Sequence, residues 1–454
     1  MTAPGRLERP GRVVRHRPAS AIVGAFVVAA AAGTVLLSLP VATESGARPP
    51  LMTALFTAVS AVSVTGLGVV DTATYWSSFG EVAILALVQA GGVGIMTSAT
   101  LLGLLISRRL GLRLQLTAQT ETRVFGLGEV RRVLGGILLL SLGTELVVAA
   151  PMAVRFATEY GESPGRAAYL GIFHAVMAFN NAGFALYADS VVSFATDPWI
   201  CVPIVVAVVV GGIGFPVLLE IARRVRSPHG RWTLHTRLTV STYLALGVVG
   251  FVGFLVLEWS NAGTVGGLGV GGKLLVGFFQ GAMPRSAGFN SIDVVAMEPV
   301  TLFLNDLLMF VGGGSAGTSG GIKVTTFALL AYVIWAEVRG EPTVHVGGRR
   351  VSSALQREAL TVALLAVGTV AAGTVVVLTM SRAPLDLVLF EVVSAFGTVG
   401  MTTGLSAELP AAGQAVILVL MFLGRLGPVT LATALALRQH TRRYELPEER
   451  TIIG

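Results

Sequence analysis

Four short segments of the chain could do chemistry through their backbone. They read Ser63-Val64-Thr65-Gly66-Leu67, Asn180-Asn181-Ala182-Gly183-Phe184, Arg285-Ser286-Ala287-Gly288-Phe289 and Gly397-Thr398-Val399-Gly400-Met401. Each ends in a glycine flanked by small or hydroxyl residues, and the glycines are 183−66 = 117, 288−183 = 105 and 400−288 = 112 residues apart. Each segment lies between long apolar runs. A ring of backbone carbonyls from four loops can replace the hydration shell of a cation. One chain with four such loops could build the ring alone. A single loop of this kind reads as an ordinary turn between helices; four in equivalent positions read as a cation filter.

Such loops need a scaffold, and the composition says what kind. The 454-residue chain is 53% hydrophobic and 13% charged, with mean hydropathy +0.77. Soluble domains carry about 25% charged residues, so this chain is solvated by lipid. A membrane helix needs about 20 apolar residues, and eight runs of that size occur at 19–39, 78–106, 133–156, 198–221, 238–257, 300–338, 359–380 and 414–437. The first follows a basic arm but is long for a signal peptide and ends in no clear cleavage site, so it reads as a span. Four shorter stretches, 51–62, 167–179, 273–283 and 385–396, are too short to cross and read as re-entrant half-helices. Each precedes one glycine segment. The expected fold is an all-α membrane protein of four parallel span, half-helix, filter loop, span repeats around one pseudo-fourfold pore. The organisation is an arm (1–17), four repeats (18–107, 132–225, 236–338, 358–438) and a tail (439–454). Irregular backbone at membrane depth is tolerated where protein buries it or it borders a water-filled cavity. The half-helices would aim their C-terminal, negative dipole ends at the pore, which favours a cation.

The net charge of +7 does not indicate nucleic acid, because of where the charges fall. Five Arg lie in 6–17, six in 108–132, five in 223–237, four in 339–357 and four from Arg438 on, so 24 of the 32 basic residues sit in five polar segments. The connections between them hold Arg48, Arg155, Arg166, Lys273, Arg285 and Arg382, while Lys323 and Arg425 fall inside apolar segments. This positive-inside pattern predicts cytoplasmic termini and basic loops. The single cysteine, Cys201, allows no intrachain disulfide.

Gly312-Gly313-Gly314-Ser315-Ala316-Gly317-Thr318-Ser319-Gly320-Gly321 interrupts the sixth run with six glycines in ten residues. No continuous helix would keep them, at about 1 kcal/mol each relative to Ala. A phosphate-binding loop would end in Gly-Lys-Ser/Thr, whereas Lys323 stands between Ile322 and Val324. The GxGxxG at 267–272 lies in a connection and carries little weight. Arg425 is a charge in an apolar run, which costs at least about 2.5–3.5 kcal/mol at the bilayer centre, so it should face the pore or a polar partner. Glu81, Glu145, Glu220, Glu258 and Glu391 fall in or beside spans. Glu391 reads as a hydrogen-bonded structural carboxylate and His174 as a packing residue. No nucleophile–base pair and no Cys/His cluster stands out, so the chain should be no enzyme and should carry no cofactor of its own.

Several stretches resemble the Trk/Ktr/HKT superfamily of potassium transporters, most closely the membrane subunit of the Ktr type. They are Gln89-Ala90-Gly91-Gly92-Val93-Gly94-Ile95-Met96-Thr97, Leu234-His235-Thr236-Arg237-Leu238, Gly288-Phe289-Asn290, Gly424-Arg425-Leu426-Gly427-Pro428 and the tail Leu446-Pro447-Glu448-Glu449-Arg450-Thr451-Ile452-Ile453-Gly454. The likeness runs from about Arg17 onward. Ser286 departs from it, since many relatives carry Thr there, but the hydroxyl is kept. The resemblance implies potassium uptake across the cytoplasmic membrane, with K+ held at the four filter segments. It makes Gly312–Gly321 an intramembrane gate and sets Arg425 beneath the filter beside it, with Lys323 at the end of the same segment. It implies a homodimer on a ring of cytoplasmic nucleotide-binding regulatory subunits. It also associates glycine at position 66 with potassium over sodium. The alternative is a sodium- or proton-coupled symporter, whose usual signature is an inverted repeat; here the repeats are parallel.

Overall fold

A computed structural model of the chain describes residues 18–115, 127–226 and 232–437. The arm 1–17 and the tail 439–454 lie outside the described residues, as do 116–126 and 227–231 within the basic segments. Helices dominate, in four successive stretches. The first holds α1 (Pro18–Leu37), α2 (Leu51–Val62), the short α3 (Thr72–Tyr75) and α4 (Ser78–Gln115). The second holds α5 (Leu127–Thr158), α6 (Pro164–Asn180), α7 (Pro198–Ile213) and α8 (Phe215–Arg226). The third holds α9 (Leu234–Glu258), α10 (Val270–Ala282), α11 (Pro299–Phe310) and α12 (Val324–Val338). The fourth holds α13 (Ser353–Met380), α14 (Leu385–Gly397), the short α15 (Leu405–Glu408) and α16 (Ala411–Leu437). A two-stranded antiparallel hairpin, β1 (His345–Val346) and β2 (Arg349–Arg350), joins α12 to α13.

Among the described residues five helices, α1, α4, α5, α9 and α13, are long and apolar enough to cross a membrane. The expected span 198–221 is not one helix. It breaks between α7 and α8 with a bend of 103°, because Gly214 adopts φ 102° and Pro216 can enter only the first turn of a new helix. The run 300–338 is likewise split into α11 and α12, with irregular backbone through the glycine-rich segment. The apolar part of α16 whose side chains are described runs Ala411–Gly427.

The short helices sit where expected. α2 spans 51–62 as read; α6 begins earlier, with Pro164 at the helix start and the Ser163 hydroxyl accepting from Arg166 N–H at 3.4 Å. Three of the basic residues expected in connections lie in helices, Arg155 in the last turn of α5, Arg166 in the first turn of α6 and Lys273 in α10. Lys273 is buried, with Nζ donating to the Trp259 carbonyl at 2.6 Å. Arg285 is 4% exposed and ends the turn after α10. The half-helices form the interior: α2, α6, α10 and α14 are buried through their second halves. The long helices turn residues such as Val28, Leu139, Val147, Val256 and Val375 outward. That is the inverse of a soluble protein and suits a lipid surround.

Candidate functional site

Three of the four half-helices end alike. Val64, Asn181 and Thr398 take left-handed φ of 58°, 59° and 48°. Their N–H groups donate to the carbonyls of Ala61, Ala178 and Ala395 at 3.0–3.1 Å, and the following N–H groups reach back to Ser60, Met177 and Ser394 at 2.8–2.9 Å. This is the paired-bond Schellman ending, usually built on glycine. A β-branched residue there is an outlier that the surrounding structure must enforce. The third half-helix differs. Pro284 has no N–H to continue the helix, a 3-10 turn runs through Met283–Arg285, and Ser286 takes φ 142°.

These endings bring together in cyclic order the glycines of the four segments, Gly66, Gly183, Gly288 and Gly400. A Cβ on Gly66 would overlap the Gly183 backbone. One on Gly183 would stand 2.9 Å from Gly288 Cα, and one on Gly288 would stand 3.0 Å from the Gly400 carbonyl carbon. A Cβ on Gly400 would overlap the Thr65 carbonyl oxygen, which returns to the first loop. Val64, Thr65, Asn181, Ala182, Ser286, Ala287, Thr398 and Val399 are all buried around this ring. Two hydroxyls that the sequence reading missed orient it. Ser60 Oγ accepts from Gly66 N–H at 3.1 Å and Ser394 Oγ from Gly400 N–H at 3.2 Å. Both lie six residues before the glycine they orient, and that shared offset was the available signal.

A second device recurs behind the loops. Gly91, Gly211 and Gly424 each abut the carbonyl four residues before a ring glycine, at Val62, Phe179 and Phe396, where a Cβ would overlap the oxygen. The long helices therefore press directly on the half-helix ends.

The glycine-rich segment between α11 and α12 packs against three of the loops. Its ends pair through Val311 and Ile322, with Gly312 N–H donating to the Ile322 carbonyl at 2.9 Å and Val324 N–H to Gly313 at 3.1 Å. Gly314 and Thr318 donate from their backbones to Gly212 and Gly211 at 2.8 and 3.1 Å, and Phe215 donates to Ala316 at 3.3 Å. These bonds stitch the segment into the break between α7 and α8. The Asn181 amide contacts the Thr318 hydroxyl, Gly320 N–H donates to Ser286 Oγ at 3.3 Å, and a Cβ on Gly320 would overlap Thr398 Oγ1. Ser315 Oγ lies 3.3 Å from Thr325 Oγ1. Gly317 and Gly321 complete the segment, the latter with φ 64°.

Both expected cations reach this segment. Lys323 Nζ donates to the Ser319 carbonyl at 2.6 Å. Arg425, 3% exposed on α16, donates from Nη1 to the Thr318 carbonyl. All five glutamates singled out above accept hydrogen bonds. Glu391 takes Thr402 Oγ1 at 2.8 Å and Ser406 Oγ at 2.5 Å. Glu145 takes Ser141 Oγ at 2.5 Å and Gln89 Nε2 at 3.0 Å, and Gln89 in turn accepts from Asn180 at 2.5 Å. Glu81, Glu220 and Glu258 take Tyr169, Thr236 and Thr264 at 2.6, 2.6 and 2.7 Å. His174 packs against Phe156 and Tyr187, which also stack on each other, with Nδ1 2.8 Å from the Leu170 carbonyl.

Apolar spans around buried half-helices whose ends meet as bare backbone define an integral membrane transport protein. Comparison with known families gives the same class: residues 16–444 match the TrkH family, described as a cation transport protein, and the chain belongs to that family. It is 38% identical to the Ktr system potassium uptake protein B of Bacillus subtilis, over 93% of this chain and 94% of that one. It is 37% identical to the protein of the same name from Vibrio alginolyticus, over 92% and 91%. The potassium/sodium uptake protein NtpJ of Enterococcus hirae is 32% identical over 97% and 98%. The crystal structure of the potassium transporter TrkH from Vibrio parahaemolyticus superposes with a TM-score of 0.68 at 18% identity, covering 95% of this chain and 87% of that one, which shows the shared fold.

Proposed function

We propose that the chain takes up potassium across the cytoplasmic membrane through a filter of backbone oxygens. The filter is built from residues 64–66, 181–183, 286–288 and 398–400, as the central ring of four repeats and eight spans with pseudo-fourfold symmetry. The observation that carries this reading is the cyclic abutment of Gly66, Gly183, Gly288 and Gly400. Carbonyls fixed around an axis replace ion hydration without a side-chain charge, and the loops that follow the C-terminal, negative ends of the four short helices meet at this ring. The names of the full-length relatives favour potassium as the ion. Segment 312–321, with Lys323 and Arg425, is the gate below the filter. Two copies of the chain pair in the membrane on a cytoplasmic ring of nucleotide-binding subunits, with both termini on the cytoplasmic side.

Purified chain in proteoliposomes, with potassium and sodium flux measured in parallel, tests the reading. Potassium flux well above sodium flux is expected. Equal flux of both ions, or none of either with the partner ring added, would overturn it.

A further inference from the structure

The third filter segment is capped differently from the other three: Ser286 and Ala287 N–H both donate to the one Met283 carbonyl, at 3.2 and 3.0 Å, in place of paired bonds to two carbonyls. Its half-helix ends at Pro284 in a 3-10 turn, and Ser286 takes φ 142° where the others are left-handed. A contact from outside the loop can set its register. The residue placed to do so is Arg285, immediately before it.

Arg285 turns away from the ring and reaches α9. Nη1 donates to the Tyr243 carbonyl, and Cζ stands 3.8 Å from the centroid of the Tyr243 ring. Gly247, one turn along α9, faces the guanidinium: a Cβ there would stand 3.4 Å from Nη2. Arg285 Nε is buried without a partner. A guanidinium in this setting has lost water, and a desolvated cation over an aromatic face is strongly held.

Tyr243 is itself a junction. It is 2% exposed and packs with Val311 and Val324, which flank the gate segment. Its hydroxyl lies 2.9 Å from where a Cβ on Gly212 would stand, at the break that the gate segment is stitched into. On the other side, Ser286 accepts from Gly320 of the same segment at 3.3 Å. Filter loop, α9 and gate segment thus form a closed circuit through Arg285 and Tyr243.

We propose that Arg285 is a positioning residue for ion selectivity, holding the third filter segment in register through its contact with Tyr243. This rests on the filter reading above. The test compares potassium with sodium flux in proteoliposomes carrying the full chain, alongside the melting temperature in detergent. Tyr243→Phe keeps both the ring face and the backbone carbonyl and should retain the wild-type ion ratio. Tyr243→Leu and Arg285→Gln should lower that ratio by about tenfold, the range a desolvated cation–π contact allows. Arg285→Lys should recover part of it. Variants that melt lower but keep the wild-type ratio would give Arg285 a merely structural role and overturn the proposal. If Arg285→Gln fails to insert, the Tyr243→Leu and Tyr243→Phe pair decides by the same ratio. A wild-type chain that does not discriminate between the ions would overturn the filter reading, and this inference with it. A selective wild type whose Tyr243→Leu variant is equally selective would overturn this inference alone.

Discussion

Gly66 shows how closely one residue is constrained. It takes φ 91°, which side chains rarely adopt, and its missing Cβ leaves the space that the Gly183 backbone fills. A serine there must push one loop off the next. The Thr65 carbonyl would move with it, and that oxygen is already the neighbour of Gly400 on the far side. Gly66→Ser should therefore cut potassium-over-sodium discrimination by about tenfold, equal to about 1.4 kcal/mol, with less effect on total flux. The check is the ratio of the two fluxes in a variant that inserts at wild-type level; an unchanged ratio would remove Gly66 from the filter. Gly143 on α5, by contrast, has open space where its Cβ would stand, with no neighbouring atom within 4 Å, so Gly143→Ala serves as the silent control.

The short helices and their caps are the elements that set the ring of glycines, and under the filter reading Ser60 and Ser394 are the side chains that tie cap to filter. Ser394 Oγ accepts from Gly400 N–H and donates to the Met401 carbonyl at 2.5 Å, bridging both sides of the fourth loop. Ser394→Ala strands a buried N–H, which costs about 1–3 kcal/mol. It should lower the melting temperature in detergent more than Ser60→Ala, and both should narrow the flux ratio; equal stability of all three proteins would show that the hydroxyls are spectators. Much of this element-level design is legible in the sequence. Hydrophobic run length separates half-helices from spans, because a stretch of about a dozen apolar residues cannot cross a bilayer. The glycine spacing locates the loops that meet at the ring. The 103° bend between α7 and α8 escapes such a reading, because the run is uniformly apolar and only Gly214 and Pro216 mark the break. Arg285 and Lys273 look like connection residues, because a polar residue beside an apolar run resembles a loop. Their burial depends on Tyr243 and Trp259, which lie far enough away in sequence that no local pattern announces them.

At the scale of the whole molecule, the glycine-rich segment 312–321 is where separate stretches of chain converge. It comes from the third stretch, is stitched to the α7–α8 break of the second, touches Thr398 of the fourth and is held from α16 by Arg425. A buried guanidinium is costly to maintain in an apolar helix, and here its Nη1 satisfies the Thr318 carbonyl on the segment itself. Arg425 thus acts in two ways under the gate reading. It fastens the segment across the molecule, and it sets a positive charge near the path of a cation. Two unit charges about 4 Å apart repel by roughly 4 kcal/mol at an intermediate dielectric, enough to slow passage by orders of magnitude. Arg425→Ala removes both fastening and charge and should raise potassium flux and weaken its dependence on a regulatory partner. Arg425→Lys keeps the charge but loses the planar donor fork, so it should raise flux less. The order alanine above lysine above wild type, measured as initial potassium uptake in proteoliposomes at matched protein content, is the expected result. An alanine variant that inserts and conducts at the wild-type rate would leave Arg425 as a structural tie between α16 and the segment, with no part in closing the path.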